Sequence, residues 1–386
     1  MRFQRLRPAL LVPVLALLSR GVMAEPTCDP TVQYPGASWP DQTAVTAQNQ
    51  PQEIAMLESY MFTLTGADAD RKGIRTDGLI IIQNGFIIYE KYARGFTATN
   101  KHLAWSVTKS LMHALLGIAL QNGVALTDSV CKYLPQLAAG SCAVQIQDLI
   151  ELSSGLYWDE EYENESNQAS SVLAMLYGQG HRDMASFIAS QGQRFPHGST
   201  WYYSTGDATL LGAVLDAALQ PKLGSSWQWS QFFTPLGITD TTLERDAQGH
   251  SVGGSLWWAM PRDLARLGYL YLNGGCWNGA QFLPAGWTAN ASMLAATMAA
   301  GKSYQRADGE VYGNLWWLNT TAPAVGQTKQ PWPDVPGDAF YADGHWNQLI
   351  VVIPSKNMVI VRTGDDRDES ALDWNNFLKL AIAVGH

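Results

Sequence analysis

Ser106-Val107-Thr108-Lys109 leads straight into an apolar series, Leu111, Met112, Leu115, Leu116, Ile118, Ala119 and Leu120, that ends before Gly123. The series is long enough for a buried helix, with Gly123 as its stop. Residues three apart share a helix face, so the Ser106 hydroxyl and the Lys109 amine can point into one cleft. A nucleophile at the head of such a helix gains from the positive end of the dipole and from free backbone N–H groups. Serine and lysine at this spacing are the smallest unit that turns a serine into an acylating nucleophile without histidine.

The spacing does not identify a site unaided, because Ser129-Val130-Cys131-Lys132 repeats it. That copy follows Leu126-Thr127-Asp128 in a short polar segment soon interrupted by Pro135, and reads as surface structure. Helix context therefore separates the two.

The N-terminus reads as a targeting signal. Arg2, Arg5 and Arg7 precede an apolar stretch over residues 9–18, and Val22-Met23-Ala24 offers a small-residue cleavage site; a secretory signal over residues 1–24 follows. The stretch is too short to span a bilayer, and no later segment is apolar for long enough. Cys28 lacks the residues expected before a lipid-modified cysteine. The expectation is a soluble protein exported to the periplasm or secreted, with no membrane insertion.

Loss of residues 1–24 takes away four arginines and no acid, moving the formal charge from −9 to −13. Such an acidic surface argues against nucleic acid or anionic lipid as a partner. Four cysteines suit an oxidising compartment. A Cys131–Cys142 bridge would close a short loop around Pro135 and Gly140, contributing about 3 kcal/mol on the chain-entropy model. Four cysteines allow three connectivities, and Cys28 with Cys276 is what that bridge leaves. There is no C-x-x-C, and the seven histidines have no ligand spacing, so neither a metal nor a cofactor is called for.

Residues 79–82 (Leu-Ile-Ile-Ile) and 86–89 (Phe-Ile-Ile-Tyr) flank Gln83-Asn84-Gly85, the strongest short-range hairpin signal. Near the C-terminus, residues 349–353 and 358–361 flank Pro354-Ser355-Lys356-Asn357 in the same way, and residues 370–384 read as an amphipathic helix. Residues 25–76 read as a Pro-rich, extended N-terminal arm. The fold class expected is α+β. Strands from both ends of the domain join in one antiparallel sheet flanked by helices, over residues 77–120 and about 250–386. Residues from about 121 to 249 form a mainly helical lobe, and the active site lies in the cleft between.

Lysine, with an ordinary pKa of ~10.4, must be desolvated or set near positive charge to serve as a base. A second proton-handling group is therefore wanted. Trp201-Tyr202-Tyr203-Ser204-Thr205-Gly206-Asp207 is a turn entering an apolar helix at residues 210–215, and a phenol there can reach Ser106 and pass a proton to a leaving group. On local chemistry alone, two adjacent tyrosines read as packing. An oxyanion hole needs two backbone N–H groups. Ser106 supplies one, and Asp343-Gly344-His345-Trp346-Asn347-Gln348 suits the other, since Gly344 permits close backbone approach. His345 keeps a Ser-His pairing open, although Ser106 lacks a G-x-S-x-G elbow.

Taken in order, Ser106-Val-Thr-Lys109, residues 148–156 (Asp-Leu-Ile-Glu-Leu-Ser-Ser-Gly-Leu), Tyr203-Ser204-Thr205-Gly206 and Gly344-His345-Trp346-Asn347-Gln348 resemble the serine β-lactamase-like, penicillin-recognising hydrolases. The likeness is strongest to the branch holding 6-aminohexanoate-dimer hydrolase and the family-VIII-type esterases. Gly253-Gly254-Ser255, residues 261–266 and the strand ending at Arg362 fit as well, so the resemblance runs from about Asp77 to the end.

The resemblance implies a β-lactamase/DD-peptidase-like fold with Ser106 as nucleophile and Lys109 as its activating neighbour. It makes Tyr203 the base in acylation and the acid toward the leaving amine or alkoxide, and it overrides the packing reading. The N–H groups of Ser106 and His345 would form the oxyanion hole. Trp158-Asp159-Glu160-Glu161-Tyr162 would line the substrate cleft, its acids either meeting a substrate ammonium or forming an exposed loop. Trp105, Ser204, Gly344 and Trp346 complete the substrate-side set. Trp105, Trp158, Trp201 and Trp346, of fifteen tryptophans, stand beside the motifs and imply an aromatic-walled cleft.

Two departures matter. The class C β-lactamases carry Tyr-x-Asn and Lys-Thr-Gly, whereas Thr205 replaces that Asn and no Lys-Thr-Gly precedes the last hairpin. Asn347 stands where the branch's Gly-His-x-Gly-Gln has its second glycine. The expectation is an exported serine hydrolase that cleaves a small ester or amide through a Ser106 acyl-enzyme. A DD-peptidase or β-lactamase is the first alternative, and a non-enzymatic member binding a peptide or glycan the second. The sequence sets no oligomeric state.

Overall fold

The computed structural model of the chain describes residues 28–163, 170–304 and 310–385, so the signal expected over residues 1–24 lies outside the described residues. Asn84 and Gly85 take φ of 52° and 84° and turn β1 (Thr76–Gln83) back into β2 (Phe86–Tyr92). Two left-handed residues in succession match the twist of a tight hairpin, and Asn-Gly tolerates them best. β3 (Trp317–Leu318), β4 (Phe340–Gly344), β5 (Gln348–Ile353) and β6 (Met358–Gly364) complete the main sheet.

Its order is β2-β1-β6-β5-β4-β3. β1 and β6 are antiparallel neighbours, with Ile80 opposite Val361 and Ile82 opposite Val359. The two hairpins expected from sequence thus join side by side in one sheet.

Both faces of that sheet are covered. Ile80, Ile82, Ile350, Val352, Val359 and Val361 belong to one core, and Leu79, Ile81, Leu349, Val351, Ile353 and Ile360 to the other. Strands buried on both sides read as unbroken apolar runs, which is how they stand in the sequence.

The principal helices are α1 (Pro51–Met61), α2 (Val107–Gln121), α3 (Thr205–Leu223), α4 (Pro261–Leu272) and α5 (Trp374–Ala383). α4 crosses β1, β5 and β6, while α1 and α5 pack together against the opposite face. α2 lies beside α3 and buries nearly its whole circumference.

The extended arm expected for residues 25–76 is corrected. Pro51 sits in the first turn of α1, where its missing N–H leaves no bond unmade, and Leu57 and Met61 are buried against the sheet. The C-terminal helix is shorter than residues 370–384, because the Asp373 side chain caps it by accepting from Asn376 N, 3.0 Å.

Cys131–Cys142 and Cys28–Cys276 are both bridged. Two disulfides accord with a compartment outside the reducing cytosol. Among the described residues no helix is long and apolar enough to cross a membrane.

Candidate active site

Ser106 stands at the N-cap of α2, yet its hydroxyl makes no capping bond. Trp105, just before it, holds φ at 48°, a strained setting for a bulky residue and one that collects at functional sites. The Ser106 hydroxyl is 2.8 Å from Lys109 Nζ, and the Tyr203 phenol also hydrogen-bonds the Ser106 side chain.

Lys109 is 1% exposed, and its Nζ lies 2.8 Å from Thr205 Oγ1 and 3.0 Å from the Gly254 carbonyl. Burial pushes the amine down to about 8, against the pull of Glu160 and Asp343. The desolvation that a basic lysine requires is therefore in place. Burial, helped by Tyr312 and Glu160, pushes the Tyr203 phenol well above its ordinary value, with the bond to Ser106 acting the other way. The Tyr203 ring stacks on Trp317 at 5.3 Å and comes within 4.7 Å of Lys109 Nζ. Packing and polar contact are both present at this tyrosine.

The turn after β4 faces this group. β3 pairs only with Phe340 and Tyr341, so the Gly344 end of β4 runs past it. A Cβ on Gly344 would lie 2.4 Å from the Ala104 carbonyl, which confirms the close approach expected there. Asn347 does not crowd the cavity. Its amide donates to Asp366 Oδ2 at 2.9 Å while its carbonyl accepts from Arg362 at 2.8 Å, tethering the turn from behind.

The His345 ring lies 3.0 Å from Glu163 through Nε2 and 2.9 Å from Glu369 through Nδ1. With both ring nitrogens turned to carboxylates, the imidazole is not arranged as a base for Ser106. What the turn can offer there is backbone.

A cavity of about 330 Å³ opens on Ser106, and Tyr162, Tyr203, Gly344 and His345 line it as expected. Glu160, Glu310, Asp343 and Glu369 line it too. Burial, with Glu369 and Glu310 nearby, holds Asp343 well above the usual carboxylate range.

Trp105 and Trp346 do not line this cavity. They line another, of about 400 Å³, with Arg71, Arg75 and Arg94, and meet each other edge to face at 5.3 Å. Three further residues expected on the substrate side lie elsewhere. Ser204 is buried and caps α3, its hydroxyl accepting from Asp207 N at 2.9 Å. Trp158 is 1% exposed, its ring so close to Gly206 that any side chain there would collide with it. Asp159 lines neither cavity, and its carbonyl accepts from Val172 N at 3.1 Å. These residues support the site from behind.

Glu160, expected in the cleft only as one acid of that segment, has a further role that the sequence did not show: it accepts from Trp158 Nε1 at 2.5 Å, from Thr205 N at 2.8 Å and from the Thr205 hydroxyl. Its position inside an acidic run gave it the look of a loop residue. Thr205 did carry a signal, the missing Asn of Tyr-x-Asn. Glu310 and Asp343 carried none. The second Ser-x-x-Lys is structural, as expected: Ser129 Oγ donates to the Cys142 carbonyl at 2.6 Å, and Lys132 pairs with Asp128.

The chain is 22% identical over 383 residues to the 6-aminohexanoate-dimer hydrolase of Paenarthrobacter ureafaciens, with 91% of each covered. It superposes on a Bacillus anthracis protein assigned as a 6-aminohexanoate-dimer hydrolase with a TM-score of 0.63 at 19% identity, covering 92% of this chain and 88% of that one. It also superposes on EstCE1, a hydrolase with promiscuous acyltransferase activity, at 0.61 and 14% identity, covering 88% and 99%. The Beta-lactamase family model matches residues 57–380. Because that match runs from within α1 to within α5 and encloses Ser106, Lys109, Tyr203 and the Gly344 turn, the chain belongs to the Beta-lactamase family of hydrolases.

Proposed function

We propose that the protein is a serine hydrolase that cleaves a small ester or amide through an acyl-enzyme on Ser106. The observation that carries the reading is a buried lysine amine, with its pKa brought down to about 8, lying 2.8 Å from the serine hydroxyl. Ser106 Oγ bonds to the substrate carbonyl carbon as its proton passes to neutral Lys109. The N–H groups of Ser106 and His345 hold the oxyanion.

Tyr203, kept protonated by burial, gives its proton to the departing amine or alkoxide and regains one from Lys109. Water then repeats the attack on the acyl carbon, and the acid is released. The raised phenol and lowered amine favour Lys109 as the base, in place of the Tyr203 base that the resemblance implied.

Four carboxylates around the cavity favour a neutral or ammonium-bearing substrate over an anionic one. That weighs against β-lactams, whose carboxylate would meet these acids without a Lys-Thr-Gly to receive it. Short amides, the class to which the relative's 6-aminohexanoate dimer belongs, suit the cavity better. The signal-like residues 1–24 and the two disulfides support export to the periplasm or beyond.

A fluorophosphonate probe is expected to label the wild type and to leave Ser106→Ala unlabelled. Equal labelling of both, or of neither, would overturn the nucleophile assignment. Nitrocefin turnover faster than that of p-nitrophenyl esters would overturn the substrate class.

A further inference from the structure

Thr205 stands where the class C enzymes carry an asparagine, and the site depends on what its hydroxyl can do. A threonine hydroxyl has one hydrogen to give and two acceptor positions. Its hydrogen goes to Glu160 Oε1, since a carboxylate offers only acceptors. The Tyr162 phenol, which burial keeps protonated, meets the same hydroxyl. Toward Lys109 Nζ, 2.8 Å away, the Thr205 oxygen is thereby left as an acceptor. The Gly254 carbonyl, 3.0 Å from Nζ, can only accept.

A neutral amine has two hydrogens and one lone pair. Both hydrogens are claimed, by Thr205 and Gly254, and the remaining direction is Ser106 Oγ at 2.8 Å. The lone pair therefore meets the proton it has to take.

We infer that Glu160 is a positioning residue: by fixing the direction of the Thr205 hydroxyl, it aims the Lys109 lone pair at Ser106. This rests on the serine-hydrolase reading above. Glu160 is itself fixed, because Trp158 Nε1 and Thr205 N converge on its second oxygen. Thr205 is fully buried, so no solvent competes for its hydrogen. Were the carboxylate absent, the hydroxyl could turn and donate to Lys109, occupying the lone pair that acylation needs. An asparagine would need no such partner, since its amide presents fixed donor and acceptor ends. Thr205 and Glu160 thus form a pair that does together what one side chain does elsewhere.

The test uses Glu160→Gln, which keeps the shape but places a donor opposite Thr205, with Thr205→Val and Thr205→Ser. Glu160→Gln and Thr205→Val are each expected to lower kcat/KM about 10- to 100-fold, mostly through kcat. Thr205→Ser, which keeps the hydroxyl, should stay within about threefold of the wild type. Glu160→Gln should also move the acidic midpoint of the kcat/KM profile downward, because Glu160 favours the charged form of Lys109. A merely structural role would not move that midpoint.

Wild-type rates and an unmoved midpoint in Glu160→Gln would overturn the inference, and so would equal losses in Thr205→Ser and Thr205→Val. If Glu160→Gln fails to fold, the Val and Ser pair decides alone. An active Ser106→Ala would instead overturn the serine-hydrolase reading, so the two failures are distinguishable.

Discussion

The base role proposed for Lys109 rests on a charge that is costly where it sits, and that cost has a pH signature. Its amine is brought down to about 8, so the inactive ammonium form dominates below that pH and the neutral form above it. The kcat/KM profile is expected to rise with pH and level off above a midpoint near 8, and a flat profile from pH 6 to 9 would refute the assignment. Tyr203→Phe should cost about 10²- to 10⁴-fold on amides, whose leaving amine needs a proton. The loss should be far smaller on p-nitrophenyl esters, whose leaving group departs as an anion, and equal losses on both would remove Tyr203 from that role. Ser106 and Lys109 were readable because one helix carries both. The pairing of Glu160 with Thr205 was not, because the chain reaches Thr205 only after the next helical segments.

Elements rather than side chains bring the Gly344 turn against the segment that carries Ser106. β4 ends where its backbone presses on Ala104, and a methyl group there would have to displace a carbonyl 2.4 Å away. Gly344→Ala is expected to destabilise the protein by about 1–3 kcal/mol, as overpacking does. It should also lower kcat/KM on esters and amides alike, since the strand end and the Ser106 loop must part. Denaturant unfolding and steady-state kinetics check both effects, and a fully active, fully stable variant would remove the close-packing argument. Both hairpins and α2 were visible in advance, from Asn-Gly chemistry and from unbroken apolar runs. α1 was hidden by its leading Pro51 and its polar residues. Its purpose, covering the second face of the sheet with Leu57 and Met61, exists only once that sheet is assembled.

Across the whole molecule, buried charge sets a pH dependence of stability. Burial raises Asp263 to about 7, with Arg266 opposing and Asp240 adding. The folded state thus holds this proton more tightly than the unfolded chain, whose ordinary value is 3.8. The contribution is present in full below the unfolded value and is lost as pH rises toward 7. Urea midpoints are expected to fall between pH 4 and 7 from this source. Asp263→Asn should flatten that part of the curve, and an unchanged slope would show that Asp263 does not carry it.

The sequence by itself determined the serine and lysine on one helix face, the two hairpins that build the sheet, and the order of motifs that marks the family. Each is a local or near-local pattern, written in spacing, turn chemistry and hydrophobic runs. Only the tertiary structure decided which groups surround Lys109. It also decided that Glu160, Glu310, Asp343 and Glu369, from four separate segments, face one cavity. Burial and hydrogen-bond direction are properties of neighbours in space, and a chain read from end to end does not contain them.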